Sequence, residues 1–273
     1  MNSEQQMAHM TTRLLVTKAD GLHTGTGFYV GFNVGNGRSK IFCVTNRHVL
    51  SGAKRCSLPI TTAGADEMPQ YGQAINFDLE DIADGTIFHP DDAVDLAAFP
   101  VHSLLNAMSE NGHRPFIKAI RRDDIPKPEV FSDLSLAEDI LMIGYPNGLF
   151  DAKNNMPILR RGITATSPSL EFNGQQVFVV DCACFPGSSG SPVFLHQPMG
   201  YRQPNGDLIL GGGRSILIGV LFAGPQVSVA GEIVPRAIPT SAALAVRSQA
   251  MMHLGFCIRS TEIAFLDQFA KPD

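Results

Sequence analysis

Short runs rich in β-branched and aromatic residues, each closed by turn residues, constrain this 273-residue chain more than any other feature. The clearest are residues 27–33, 40–44, 177–182, 191–195 and 215–222. Runs of this length and composition read as strands. Helical periodicity is scarce. Its best instance is 261–269, where Ile263, Phe265, Leu266 and Phe269 fall on one apolar face, and 103–110 and 241–252 are further helical expectations. The 26 glycines and 18 prolines are spread along the chain rather than gathered into one linker. The pattern is that of an all-β protein, a sandwich or barrel of short strands joined by turns.

The segment 121–138 carries Arg-Arg-Asp-Asp-Ile-Pro-Lys-Pro-Glu, and its prolines interrupt any sheet ladder. It divides the chain into an N-terminal unit over 1–120 and a C-terminal unit over 139–273, each long enough for a small β-barrel. The polar stretch 51–85 shows no readable strands. Twenty-one basic against 26 acidic residues give a net charge of −5. No Lys/Arg stripe stands out, so no nucleic-acid partner is expected. Apolar stretches such as 216–223 are too short to span a bilayer, so no membrane partner is expected either. The first residues lack the basic and apolar regions of a secretory signal, and five cysteines are too few for a disulfide framework. A cytoplasmic location is the expectation.

Three segments carry chemistry. Cys43-Val-Thr-Asn-Arg-His48 ends an apolar run on a histidine, Asp91-Asp-Ala-Val-Asp95-Leu-Ala opens another with a carboxylate, and Gly187-Ser-Ser189-Gly190-Ser-Pro192 places serines in a turn. A serine hydroxyl becomes a competent nucleophile when an imidazole removes its proton, and the imidazole needs a carboxylate on its other nitrogen. Gly187 can adopt backbone conformations closed to other residues, so its N–H and that of Ser189 are candidates for an oxyanion hole. Asp91 and Asp92 rival Asp95, and Ser188 and Ser191 rival Ser189. The serine does not sit in a G-x-S-x-G strand-turn-helix elbow, which disfavours an α/β-hydrolase.

These motifs resemble those of trypsin-like serine peptidases of the chymotrypsin fold, closest to the bacterial Deg/HtrA-type branch. Thr45-Asn-Arg-His48-Val resembles T-A-x-H-V, Asp95-Leu-Ala resembles D-L-A, and Gly187-Ser-Ser189-Gly190-Ser-Pro192 resembles G-x-S-G-G-P. Gly25-Thr-Gly27-Phe28, Ile143-Gly-Tyr-Pro146, Ile218-Gly219-Val220 and Ala237-Ile-Pro239 resemble further segments of the family, in order along the chain. The resemblance implies two Greek-key β-barrels with a short C-terminal helix. It implies a serine endopeptidase with His48, Asp95 and Ser189 as triad, and Gly187 and Ser189 as oxyanion-hole donors. It implies a protein or peptide substrate, and no metal or organic cofactor.

Ser188 stands where secreted digestive members carry an Asp, and no Ile-Val-Gly-Gly start is found, so activation by a freed N-terminus is not expected. No PDZ-like domain is expected after the second barrel. Cys43 and Cys56 bracket His48 as a disulfide does in secreted relatives, but with no export signal free thiols are the expectation. By the same resemblance the residue six before the serine, Ala183, forms the pocket floor, and Cys184, Phe222, Ala223 and Gly224 its walls. Ala183 offers no charge to a Lys or Arg side chain, so a small or medium apolar residue is expected there. The alternatives are a protease-like binding scaffold without turnover, and an enzyme switched on by a partner protein.

Overall fold

A computed structural model describes residues 1–35, 38–203, 206–233 and 244–270, with the backbone alone for 202, 226–233 and 244–251. The Ala237-Ile-Pro239 segment lies outside the described residues. In the first half the strands are β1 Thr11–Lys18, β2 Gly21–Asn33, β3 Ser39–Thr45, β4 Arg55–Ala63, β5 Pro69–Glu80, β6 Ile87–Phe88, β7 Ala97–Pro100, β8 Pro115–Phe116 and β9 Ile120–Arg121. In the second they are β10 Asp139–Gly144, β11 Ile158–Thr164, β12 Val177–Asp181, β13 Pro192–Gln197, β14 Gly200–Arg202, β15 Leu208–Leu210, β16 Arg214–Ala223, β17 Gln226–Ile233, β18 Leu244–Met251 and β19 Leu254–Arg259.

Among the described residues, β10-β11-β12-β19-β16-β13 close into a six-stranded barrel. Its first three strands follow one another and its last three return in reverse order, which is a Greek-key path. The first half repeats that path as β5-β4-β1-β2-β3-β7-β6, with β8 on β4 and β9 on β2. No hydrogen-bonded pairing joins β5 to β7 among the described residues, so the seam of this first sheet stays open.

The strands form where both faces find apolar partners. Val177–Val180 of β12 are all buried, as befits a barrel wall packed on each side. One core cluster joins the halves. Phe28, Val30, Val44 and Leu96 of the first half pack with Leu141, Ile143, Phe194 and Val220 of the second. The segment between the halves is ordered, with a short helix Pro128–Ser132 whose Phe131 is buried with Leu134 against the second barrel.

One helical expectation needs correction. Within 241–252, Leu244–Met251 is strand β18, paired antiparallel with β17 across its length, because the hairpin satisfies its backbone where local propensity alone would not. The expected C-terminal helix is present over Ser260–Phe269, with 3₁₀ geometry. Ile263 and Leu266, both fully buried, lie three residues apart and so stack on one side of a three-residue turn. The segment His102–Glu110 is α-helical.

His9 contributes a pH dependence. It is buried with its ring edge-on to Phe116 at 4.8 Å, and its Nε2 has no hydrogen-bond partner among the described residues. Burial, helped by the Lys118 charge, lowers its pKa from 6.5 to about 4. The unfolded chain therefore binds a proton between those values that the fold refuses, so stability falls as pH drops through that window. His9→Leu is expected to remove a share on the order of 2 kcal/mol of that acid sensitivity between pH 7 and pH 4.5. Urea melts at pH 7 and pH 4.5 check this, and equal acid sensitivity in both proteins would refute it.

Candidate active site

His48 follows β3 directly, in the short helix Arg47–Leu50. Val49 and Leu50 are buried and pin that turn, while the His48 side chain remains half exposed. Asp95 lies just before β7 and grips the histidine at two points. Its Oδ2 accepts from His48 Nδ1 at 2.5 Å, and its Oδ1 accepts from the His48 backbone N–H at 2.8 Å. The Asn46 side chain donates to the Asp95 carbonyl at 2.8 Å, fixing the carboxylate's backbone as well.

The rival carboxylates are otherwise engaged. Asp91 accepts from the Ala93 N–H at 2.9 Å within its own turn, and exposed Asp92 pairs with Arg47 Nη1 at 3.0 Å. His89 orders the loop that carries all three. It donates from its backbone to the Leu96 carbonyl at 3.0 Å, and its ring meets Glu262 of the closing 3₁₀ helix at 3.4 Å.

Ser189 lies in the turn between β12 and β13. Its carbonyl accepts from Thr26 N–H at 2.8 Å, and Gly190 donates to Leu221 O at 2.8 Å. Gly190 has φ +86°, and a Cβ there would stand 2.0 Å from the Thr26 carbonyl and 2.5 Å from Thr45 Oγ1. Only glycine permits this approach, which sets the serine turn against β2 and the end of β3, the strand that leads into His48. Burial separates the three serines. Ser188 and Ser191 are fully buried, whereas Ser189 is partly exposed. Ser188 Oγ accepts from Arg160 Nη1 at 2.9 Å, and Ser191 Oγ donates to Thr26 Oγ1 at 3.4 Å. Among the described residues no hydrogen bond links Ser189 Oγ to His48.

The peptide before Gly187 has a fixed orientation. Asn147, itself left-handed at φ 50°, donates its N–H to the Pro186 carbonyl at 2.5 Å. In a trans amide the N–H points opposite the C=O, so the Gly187 N–H faces away from the Asn147 turn. Gly187 has φ +82°, and Thr26 Oγ1 holds its carbonyl at 3.0 Å. Among the described residues nothing accepts from the Gly187 or Ser189 N–H. Two unengaged donors beside a partly exposed hydroxyl are what a developing oxyanion requires.

A pocket of about 320 Å³ opens beside Ser189, lined by Cys184, Phe185, Pro186, Ser189, Leu221, Ala223 and Gly224. Of the residues expected to form the substrate pocket, Cys184, Ala223 and Gly224 are in this lining and Ala183 and Phe222 are not. A register shift between Leu221 and Ala223 turns Phe222 toward Phe256, so Leu221 lines the pocket instead. Ala183 is not part of the lining, and its carbonyl accepts from Arg160 Nη1 at 2.5 Å. Burial, reinforced by Cys182, pushes the Cys184 thiol up to about 12, so it stays neutral and acts as an apolar wall. Cys43 and Cys56 are both free and buried.

A second hydroxyl–imidazole–carboxylate set is present, with His196 meeting Ser215 at 2.9 Å and Glu4 at 3.2 Å. Ser215 sits within β16 as the register partner of His196, a buried imidazole on the paired strand, rather than in a turn like that of Ser189. That set ties the first helix, Ser3–Ala8, to the second barrel. Among the described residues no group of His, Cys, Asp or Glu is arranged to hold a metal, and no helix is long and apolar enough to cross a membrane. The roles of Thr26, Asn147 and Arg160 escaped sequence reading. The first two act through the backbone or a hydroxyl, and nothing in its sequence neighbours marks Arg160.

Residues 25–198 match the family described as trypsin-like peptidase domain. No curated protein matches the sequence. Among solved structures the chain is similar to the HtrA-type protease AlgW with tripeptide, at 15% identity and a TM-score of 0.51, covering 97% of this chain and 60% of that one. The serine endoprotease from Yersinia pestis gives 13% identity and a TM-score of 0.49 over 98% of this chain and 66% of that one. The active form of the Rv3671c protease from M. tuberculosis gives 16% and 0.48 over 99% and 86%.

Proposed function

The chain belongs to the trypsin-like peptidase domain family, and from that premise we propose that it cleaves peptide bonds through Ser189, His48 and Asp95 by way of an acyl-enzyme. Ser189 Oγ attacks the scissile carbonyl carbon while His48 Nε2 takes the hydroxyl proton. The C–N bond then breaks, and His48 returns that proton to the leaving amine. Water repeats the sequence on the ester and releases Ser189. The Gly187 and Ser189 N–H groups stabilise the oxyanion in each half. The two-point contact between Asp95 and His48 is the observation that carries this reading, because it selects the Nδ1–H tautomer and leaves Nε2 free to accept a proton.

A partner-switched enzyme is the second reading. It is favoured by one observation, that Ser189 Oγ and His48 share no hydrogen bond among the described residues. Such bonds are often long before substrate binds, so the first reading remains the better supported.

The pocket gives the substrate expectation. Its described lining holds no carboxylate, and the nearby Arg160 cation donates to the Ala183 carbonyl. A buried Lys or Arg side chain would lose several kcal/mol of solvation with no compensating charge. An aliphatic side chain would gain about 1.5–3 kcal/mol on burial. Cleavage after Ala, Val, Leu or Met is expected. Cleavage-site profiling by mass spectrometry on a denatured proteome checks it, and a predominance of Lys or Arg before the cut would refute the pocket as built. Complete absence of Ser189-dependent cleavage would refute the endopeptidase reading.

A further inference from the structure

The loop 183–189 is gripped at almost every carbonyl. Phe185 O accepts from Ser188 N–H and Pro186 O from Asn147 N–H. Gly187 O accepts from Thr26 Oγ1, Ser188 O from Ser191 N–H, and Ser189 O from Thr26 N–H. At Ala183 the grip comes from a charged side chain. Arg160 Nη1 donates to Ala183 O at 2.5 Å and to Ser188 Oγ at 2.9 Å, so one nitrogen bridges the two ends of the loop.

Arg160 is carried by a rigid element, since it pairs with Met142 inside the closed barrel. Its Nε and Nη2 are buried without partners, and among the described residues no carboxylate forms a salt bridge with it. A half-buried cation without a counter-charge is costly to keep. Here the return is geometric.

We propose that Arg160 is a positioning residue, an internal cationic staple that holds the 183–188 loop so that the Pro186–Gly187 peptide keeps its N–H toward the oxyanion. If the loop slackens, that peptide is free to flip, and a carbonyl replaces a donor where negative charge develops. This rests on the acyl-transfer reading of Ser189, and the test separates the two.

A fluorophosphonate probe on the intact protein gives the maximal labelling rate and the half-saturating concentration separately. Hydrogen exchange over 183–190 reports loop order without reference to activity. Arg160→Met is expected to lower the maximal rate about 100-fold, the scale of one lost oxyanion donor, with the half-saturating concentration within about threefold. Exchange over 183–190 should rise about tenfold or more while β12 is unchanged. Arg160→Lys should recover about tenfold of the rate, and Ser188→Ala should lose about fivefold. Because both changes act on one staple, the double variant Arg160→Met/Ser188→Ala should be no slower than Arg160→Met.

A folded Arg160→Met protein with unchanged labelling rate and exchange would overturn the staple, as would losses that multiply in the double variant. Should Arg160→Met not melt cooperatively, Ser188→Ala decides: slower labelling supports the staple and an unchanged rate overturns it. If wild-type protein takes no label while exchange still rises in Arg160→Met, the catalytic reading fails and the staple stands.

Discussion

Ser189→Ala is expected to abolish peptide-bond cleavage, lowering turnover by up to about 10⁶-fold as loss of a triad nucleophile does. Ser188→Ala and Ser191→Ala should each retain measurable turnover. The difference follows from burial: Ser188 and Ser191 are sealed from substrate and committed to Arg160 and Thr26, while Ser189 is partly exposed beside two unengaged amides. Removing the Ser189 hydroxyl takes out only the nucleophile, since its backbone anchors to Thr26 and its neighbours are unaffected. The melting temperature should therefore stay within about 2 °C of wild type, as for other partly exposed substitutions. Full activity in Ser189→Ala, measured on any cleaved substrate, would contradict the assignment.

Asp95→Asn is expected to cut turnover by about 10⁴-fold near neutral pH with the fold intact. The reason lies in the two-point contact. Oδ1 accepts the His48 backbone N–H and Oδ2 accepts Nδ1–H. An amide has one oxygen and one NH₂ to fill those places, and either orientation leaves one donor facing another. Keeping the oxygen on the backbone N–H turns the NH₂ toward Nδ1, which forces the proton onto Nε2 and removes the base. Asp91→Asn and Asp92→Asn should change turnover less than about threefold, since neither reaches the imidazole and surface changes are small in effect. If Asp92→Asn proved the crippling change, the register of this loop would be wrong.

Much of the candidate site could be picked out because its groups lie in contiguous residues. His48 ends an apolar run, Asp95 opens one, and Gly187 and Gly190 flank the serine turn, so local sequence carries both the group and its backbone geometry. The strands with apolar runs were legible for the same reason. What escaped depends on partners distant in the chain. Strand β5 is mostly exposed, and only Ile75, Phe77 and Leu79, on alternate positions, pack on the core, so its polar sequence hid a strand that β4 completes. Phe222 was expected at the pocket wall, and a one-residue register shift, which no local signal announces, turned it toward Phe256. Leu244–Met251 has the composition of a helix, yet pairing with β17 makes it a strand. Arg160 has ordinary neighbours in sequence, and its role arises because strand β11 brings it behind a loop more than twenty residues later.

Labelling the intact protein with a fluorophosphonate, followed by mass-spectrometric mapping of the modified peptide, tests the central claim most directly, since the probe reports an activated serine without knowledge of the substrate. The adduct is expected on Ser189 alone, and its formation should fail in both Ser189→Ala and His48→Ala. Label on Ser215, on Ser188, or on no serine at all would contradict the assignment of Ser189, His48 and Asp95 as the catalytic set.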